Sequence, residues 1–264
     1  MGTVKTVLCL GDVIGQSGFR AVVTGLAGIR KRHGADAVVL NVENTAEGFG
    51  VTEEQAGKLL SAGADVLTTG NHIWQKREVR DYLDRQAFIL RPANYPGGAP
   101  GHGSCVLEHR GFKLAVLNLQ GRRRMPHTDC PFKHGRELVR KVRSETRCIV
   151  VDFHAEATDE KEAFAMYLDG EVSAVFGTHT HIQTADERIL PKGTAYITDI
   201  GASGPIDSVI GFQPQISIQR SLTQLPLRNE VSDNRAAIHG VRIEIDTESG
   251  RAVSITRLRE ESLV

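Results

Sequence analysis

The sequence predicts an α/β protein with mixed sheets, and three observations carry that expectation. Short β-branched runs alternate with longer amphipathic stretches, the order that builds strand–helix–strand units with mostly parallel strands. Several of the short runs are apolar almost throughout, as strands covered on both faces require. The C-terminal part instead alternates residue by residue, which marks an antiparallel hairpin.

The elements follow in order. Strands are expected over residues 4–10, 37–42, 66–68, 115–119, 148–153, 174–176 and 194–198. Helices are expected over 17–33, 53–62, 75–85, 135–143 and 159–168. The second helix has Thr52 and Gln55 spaced as a capping box. The last opens on Thr158-Asp159-Glu160, a capping and charge pattern, and closes at Gly170. In the hairpin, Val241, Ile243 and Ile245 alternate with Arg242, Glu244 and Asp246, Thr247–Gly250 turns, and the alternation resumes at Val253. Residues 92–103, 121–131 and 201–215 read as surface loops rather than boundaries, so a single domain over 1–264 is expected.

Bulk composition excludes little but is informative. Apolar residues are 40% and charged residues 24%, ordinary for a globular chain. Lys+Arg and Asp+Glu are both 32, so no excess charge points to a stable nucleic-acid complex. No apolar run approaches the roughly 18 residues of a membrane span, and the start lacks the apolar core and cleavage site of a signal peptide. No membrane partner and a cytoplasmic location are therefore expected. Cys9, Cys105, Cys130 and Cys148 show no C-x-x-C spacing; Cys9 and Cys148 read as core residues and Cys130 as a loop residue.

The chemistry is signalled by position. The predicted strands run into Gly11-Asp12, Glu43-Asn44, Gly70-Asn71-His72, His154 and Gly177-Thr178-His179-Thr180-His181. Parallel strands deliver such residues to one rim, where α/β sheets bind their ligands. The set holds two carboxylates, up to two amides and three imidazoles with no thiolate, which suits Mn, Fe(II), Zn, Co or Ni over Ca or Cu(I). That is more than the three protein ligands of a catalytic zinc. It suits two ions about 3.5–4 Å apart, able to acidify a bridging water and neutralise phosphate oxygens.

Each residue alone has a plainer reading. Asp12 could cap the first helix, Glu43-Asn44 and Asn71-His72 could be loop and turn residues, and His154 could be a hydrogen-bonded core histidine. The His179-x-His181 pair is harder to dismiss, because in an extended chain it points both imidazoles to one side.

These blocks resemble those of the calcineurin-like metallophosphoesterases. Gly70-Asn71-His72 and Gly177–His181 are similar to that superfamily's G-N-H and G-H-x-H signatures, in the same order. Gly11–Gly15, Asn41–Asn44, Gly70–Trp74, Asp199–Pro205 and Asp207–Gly211 are similar to its bacterial 2′,3′-cyclic-nucleotide phosphodiesterase branch, a resemblance running from about residue 4 to about 212. Two departures from the wider superfamily are shared with that branch: Ile14 replaces the histidine of a D-x-H block, and Glu43, followed by Asn44, replaces a bridging aspartate.

The resemblance implies a four-layer α/β/β/α sandwich with mixed sheets. It implies that Asp12, Asn44 and His181 hold one ion, that Asn71, His154 and His179 hold the other, that Glu43 bridges them, and that His72 is the general acid. It implies two divalent or mixed-valence ions per chain. Loss of an imidazole at the first ion favours Fe or Mn, with Zn and Mg as alternatives. The expected partner is a small phosphodiester or cyclic nucleotide, in a homo-oligomer.

Weaker signals leave the substrate-binding residues unassigned. The G-x-x-x-G-x-x-G of Gly11, Gly15 and Gly18 is not a dinucleotide fingerprint. Arg122-Arg123-Arg124 reads as a solvated basic loop or a cationic rim, Gly201–Pro205 with Ser208 as a second rim, and Trp74 as a packing residue. An amidohydrolase would carry its H-x-H pair early, whereas here it comes late. The alternative to an enzyme is a regulatory or RNA-associated metal-binding protein on the same scaffold.

Overall fold

The computed structural model describes residues 3–109 and 111–262. The chain begins with β1 (Val4–Leu10), β2 (Asp12–Val13), α1 (Gly15–Arg32), β3 (Ala37–Asn41), α2 (Glu53–Ser61), β4 (Val66–Thr68), α3 (Val79–Arg85) and β5 (Ile89–Leu90). Then come β6 (Ser104–His109), β7 (Phe112–Gln120), α4 (Pro131–Val142), β8 (Ile149–His154), α5 (Thr158–Tyr167) and β9 (Ala174–Thr178). The last part holds β10 (Arg188–Ile189), β11 (Ala195–Ile197), β12 (Ala202–Pro205), α6 (Pro214–Thr223), β13 (Ala236–Asp246) and β14 (Ala252–Glu261).

Two mixed sheets result. The first has the order β2-β12-β13-β1-β3-β4-β5, with β14 on β13; the second has the order β10-β11-β9-β8-β7-β6. β1, β3, β4 and β5 are parallel, and β13 runs antiparallel to β1 from Val4–Asp246 to Leu10–Gly240. In the second sheet β7, β8, β9 and β11 are parallel, with antiparallel β6 and β10 outside them.

Strand alternation sorts the apolar runs into three layers of contact. From β1, Leu8 and Leu10 pack with Val22, Leu26 and Ile29 of α1, and with Leu59 of α2 and Leu83 of α3. Val7 and Cys9 point the other way, into the space between the sheets, with Val116, Val150 and Phe176 of the second sheet. On that sheet's far side, Val151 and Phe153 pack under Val139 of α4 and Phe164 of α5. Each such side chain, taken fully out of water, contributes roughly 1.5–3 kcal/mol. The layering is the expected α/β/β/α sandwich, and both faces of each sheet are covered, so the central strands read as continuous apolar runs.

The departures have local causes. α5 begins at Thr158, so the cap is Ala157, which offers no side-chain bond. Glu160 is instead turned inward and accepts the backbone N–H groups of Arg122 and Arg123. The helix expected over 75–85 shortens to α3 after a single 3₁₀ turn at Ile73–Gln75. Residues 201–215, expected to be irregular, contain β12, whose Ala-Ser-Gly-Pro sequence has no strand propensity and is held by its neighbours. α6 begins at Pro214, inside the same segment; none of its residues is buried, so it carries no apolar stripe to read. Cys9 and Cys148 are buried, as expected, and Cys130 precedes α4. No described helix is long and apolar enough to cross a membrane.

Candidate metal centre

The carboxyl ends of strands from both sheets converge. Glu43, just beyond β3, places Oε1 3.0 Å from Nε2 of His154 at the end of β8. Asp12, just beyond β1, places Oδ2 3.3 Å from Nε2 of His181, beyond β9. The expected delivery to one rim is thus shared by two facing sheets.

Seven residues form two adjoining clusters. Around His154 Nε2 stand Glu43 Oε1 at 3.0 Å, Asn71 Oδ1 at 3.1 Å and His179 Nδ1 at 3.1 Å. The ligand atoms of Glu43, His154 and His179 all lie within 4.8 Å of one another. Beside them, His181 Nε2 stands 3.3 Å from Asp12 Oδ2 and 3.0 Å from the Asn44 amide. His72 sits at the edge: its backbone N–H donates to Glu43 Oε2, and its Nδ1 lies 3.0 Å from Asn44 Oδ1.

Asp12 does not cap α1; Ile14 occupies that position and Asp12 is buried in β2. Nor is the chain extended at the histidine pair. His179 and His181 both have positive φ, 98° and 66°, and the twisted backbone sends one imidazole into each cluster. Extended alternation would have put both on one side.

The donor set fits cations. Asp12 Oδ1 and Glu43 Oε1 are buried and accept no hydrogen bond among the described residues, an arrangement that costs several kcal/mol unless a positive charge meets them. Each imidazole has its second nitrogen tied to an acceptor. His154 Nδ1 faces Thr178 Oγ1 at 2.9 Å, His179 Nε2 faces Glu156 Oε2 at 3.2 Å, and His181 Nδ1 donates to the Ile210 carbonyl at 2.8 Å. Three lone pairs are left pointing inward, which is how metal-binding histidines are oriented.

The electrostatics describe the same unmet demand for positive charge. Burial opposes ionisation of Asp12 and Glu43, yet His181 and His154 respectively hold both below the usual carboxylate range. Burial likewise disfavours a charged His154, but Glu43, Asp12 and Asp152 lift it to about 9. Burial and the charge of His154 push His179 down to about 3.

A buried polar layer supports the clusters. The Thr178 hydroxyl donates to Asp152 Oδ1 at 2.7 Å, so toward His154 it can only accept; that fixes the proton on His154 Nδ1 and frees Nε2. Asp152 Oδ2 also accepts from Asn41 of β3 and Thr68 of β4, which ties the two sheets together beneath the site. Lys161 of α5, fully buried, donates to the Thr178 carbonyl and to Asp199, which in turn accepts from Thr180. Gly70 makes room: a Cβ there would stand 2.2 Å from His154 Nε2 and 2.3 Å from Glu43 Oε2.

The weaker sequence signals resolve differently. Arg122 and Arg123 are tied to α5, through their backbone N–H groups on Glu160 and the Arg123 guanidinium on Asp159. Trp74 packs edge-on against Tyr95 at 5.4 Å. The Ser208 hydroxyl donates to the Pro205 carbonyl and accepts from Gly211, closing the turn that carries Ile210. A cavity of about 310 Å³ opens beside the clusters and includes Phe49, Phe212 and Asn229, which the sequence did not single out. A larger one, about 760 Å³, lies at the opposite ends of the strands, near Lys5 and Lys113.

Comparison with known proteins agrees with this architecture. A Bacillus subtilis relative, the 2′,3′-cyclic-nucleotide 2′-phosphodiesterase, is 44% identical over 252 residues, 96% of each chain. The crystal structure of a phosphatase from Mycoplasma pneumoniae superimposes with a TM-score of 0.93 at 36% identity, covering 99% of this chain and 95% of that one. That of a hypothetical protein from Thermus thermophilus gives 0.91 at 39% identity, covering 97% and 99%. The family model for YmdB-like proteins matches residues 8–258, and the chain therefore belongs to the YmdB-like protein family, an enzyme family of the metallophosphoesterase type.

Proposed function

We propose that the protein hydrolyses small phosphodiesters, 2′,3′-cyclic nucleotides among them, at a dinuclear metal centre. The observation that carries this reading is the pair of adjoining clusters whose imidazoles each present one free nitrogen toward a buried carboxylate. Asp12, Asn44 and His181 would hold one ion, and Asn71, His154 and His179 the other. Glu43, whose Oε1 has no hydrogen bond and whose Oε2 faces the His72 backbone, would bridge them. Oxygen-rich ligation at the first ion favours Fe or Mn. Two such ions supply charge neutralisation for the phosphate oxygens and acidify a water. The substrate class is suggested by the activity named for the Bacillus subtilis relative.

The chain's own groups do the rest. The Asn44 amide oxygen accepts from His72 Nδ1 at 3.0 Å, and the imidazolium so held would give its Nε2 proton to the departing alkoxide. Burial lowers the pKa of His72, which eases release of that proton.

The test is direct. Wild-type protein should turn over an aryl phosphodiester with Mn²⁺ or Fe²⁺ and lose that activity with chelator. His72→Ala should retain both metals by elemental analysis and lose about 10²–10⁴ in turnover. A metal-free His72→Ala protein would make His72 a ligand, and a metal-loaded wild type without diesterase activity would refute the enzymatic reading.

A further inference from the structure

Two loops at the mouth of the centre carry the exposed apolar side chains Phe49 and Ile210, which the metal ligation does not use, with the buried Phe212 beside Phe49. Phe49 is 37% exposed and Ile210 46%. Phe49 stacks on Phe212 with centroids 5.9 Å apart and planes at 27°, and its ring meets the edge of His72 at 5.0 Å. All of them line the same 310 Å³ cavity as His179 and His181. The backbone is bent to put them there. Glu47, Gly48 and Gly50 have positive φ around Phe49, and Ile210 itself has φ of 49°. A β-branched residue is an outlier in that region, and such outliers collect at functional sites. The Ile210 carbonyl also anchors His181, so the loop that presents the apolar side chain is the one that orients the imidazole.

A polar group completes the set. Asn229 lines the same cavity, and its Oδ1 is buried with no hydrogen-bond partner among the described residues. Flat apolar surface plus one unpaired acceptor, next to a phosphate-cleaving centre, is the chemistry that holds a nucleobase: a π-face for stacking and an acceptor for an exocyclic amine. The volume lies at the low end of small-molecule sites, about 300–1,000 Å³, which suits one nucleotide rather than a nucleic-acid strand.

We propose that Phe49, Ile210, Phe212 and Asn229 form the base subsite, which takes an amino-bearing nucleobase of the cyclic nucleotide while its phosphate meets the metal centre. Phe49 and Ile210 supply the exposed apolar surface, the buried Phe212 backs Phe49, and Asn229 Oδ1 accepts from the base amine. The inference rests on the proposed diesterase reading and names its substrate determinant.

The experiment compares adenosine 2′,3′-cyclic phosphate with glycerol 1,2-cyclic phosphate, which has the same strained diester and no base, on Mn²⁺-loaded protein. The ratio of the two kcat/KM values is the readout. Phe49→Ala and Asn229→Ala should each lower it about tenfold, the scale of one base–aromatic contact, and Phe49→Tyr should restore it. Equal losses on both substrates, or no change in the ratio, overturn the base subsite. A changed solution mass for Phe49→Ala with an unchanged ratio assigns the patch to a second copy of the chain and also overturns it. Wild-type turnover of the glycerol substrate tests the diesterase reading separately. If neither substrate turns over, calorimetric titration with adenosine 3′-monophosphate still decides: Phe49→Ala must weaken binding about tenfold, and an unchanged Kd is fatal to the proposal.

Discussion

Replacing Gly70 by alanine tests whether the centre depends on space as well as on ligands. The change adds one methyl and touches no donor atom. No positive φ is involved, so the backbone accepts alanine without strain. The added Cβ, however, stands 2.2 Å from His154 Nε2, 2.2 Å from His154 Cδ2 and 2.3 Å from Glu43 Oε2. Ordinary carbon contacts lie at about 3.5–4.0 Å, so the neighbours must retreat by roughly 1.3 Å or more. Both are fully buried, and His154 is held from behind by Thr178. Overpacking of this kind costs about 1–3 kcal/mol, and misplacement of about 1 Å can cost on the order of 10² in rate. We expect kcat/KM for a diester to fall about a hundredfold, metal content after dialysis to drop, and Tm to fall by a few degrees. Gly57→Ala is the control: it lies inside α2, its Cβ would meet nothing within 4 Å, and it should gain about 0.5–1 kcal/mol. A Gly70→Ala enzyme with wild-type metal content and rate would refute the argument from space.

Three further outcomes follow from the supporting layer and one remote histidine. Thr178→Val keeps shape but leaves Asp152 and His154 Nδ1 each short of a partner; metal affinity by calorimetry should fall about 10–100-fold with a stability loss of about 1–3 kcal/mol. Lys161→Met strands buried Asp199, which keeps donors from Thr180 and Gly201, so denaturant melts should show about 3 kcal/mol lost, the lower end for a broken buried pair; Lys161→Met with Asp199→Asn should recover part of it, and full additivity would contradict the pairing. Burial, followed by Arg259, depresses the pKa of His239 despite its bond to the Ala202 carbonyl. As pH falls below the ordinary value of 6.5 the unfolded chain gains that proton first, so stability drops from there downward; His239→Gln should flatten the wild-type slope between about pH 7 and pH 5, and an unchanged slope would remove His239 from the account.

The sequence was most legible where one physical rule decides the outcome. The strands 4–10, 37–42 and 148–153 are covered on both faces, and their apolar runs say so. The Thr52–Gln55 capping box needs only its own turn, and it forms in both directions. The ligand candidates stood out because they recur just past strand ends. What escaped depends on contacts that no local pattern encodes. Asp152 sits in an apolar strand and Lys161 on the inner side of α5, and their partners come from 84 and 38 residues away. Phe49, Phe212 and Asn229 are drawn together by loops of positive φ and by the pairing of Phe212 with Val231. The paths of His179 and His181 were missed because non-glycine residues rarely take positive φ, and here two of them do.

The position of β13 has a consequence for biosynthesis. This strand, residues 236–246, lies between β12 and β1, near the middle of the first sheet. β1 leaves the ribosome well ahead of its antiparallel partner, since β1 ends at Leu10 and β13 begins at Ala236. At about 5–20 residues per second the open edge of β1 waits for roughly 10 to 50 seconds. For that interval the nascent chain carries a bare apolar strand edge, the kind of surface that pairs with other chains. The second sheet, β6 to β11, can close earlier, because its strands are contiguous in the chain. Conditions that slow translation or withdraw nascent-chain chaperones should therefore lower the yield of this protein, and they should do so through its first half rather than its second.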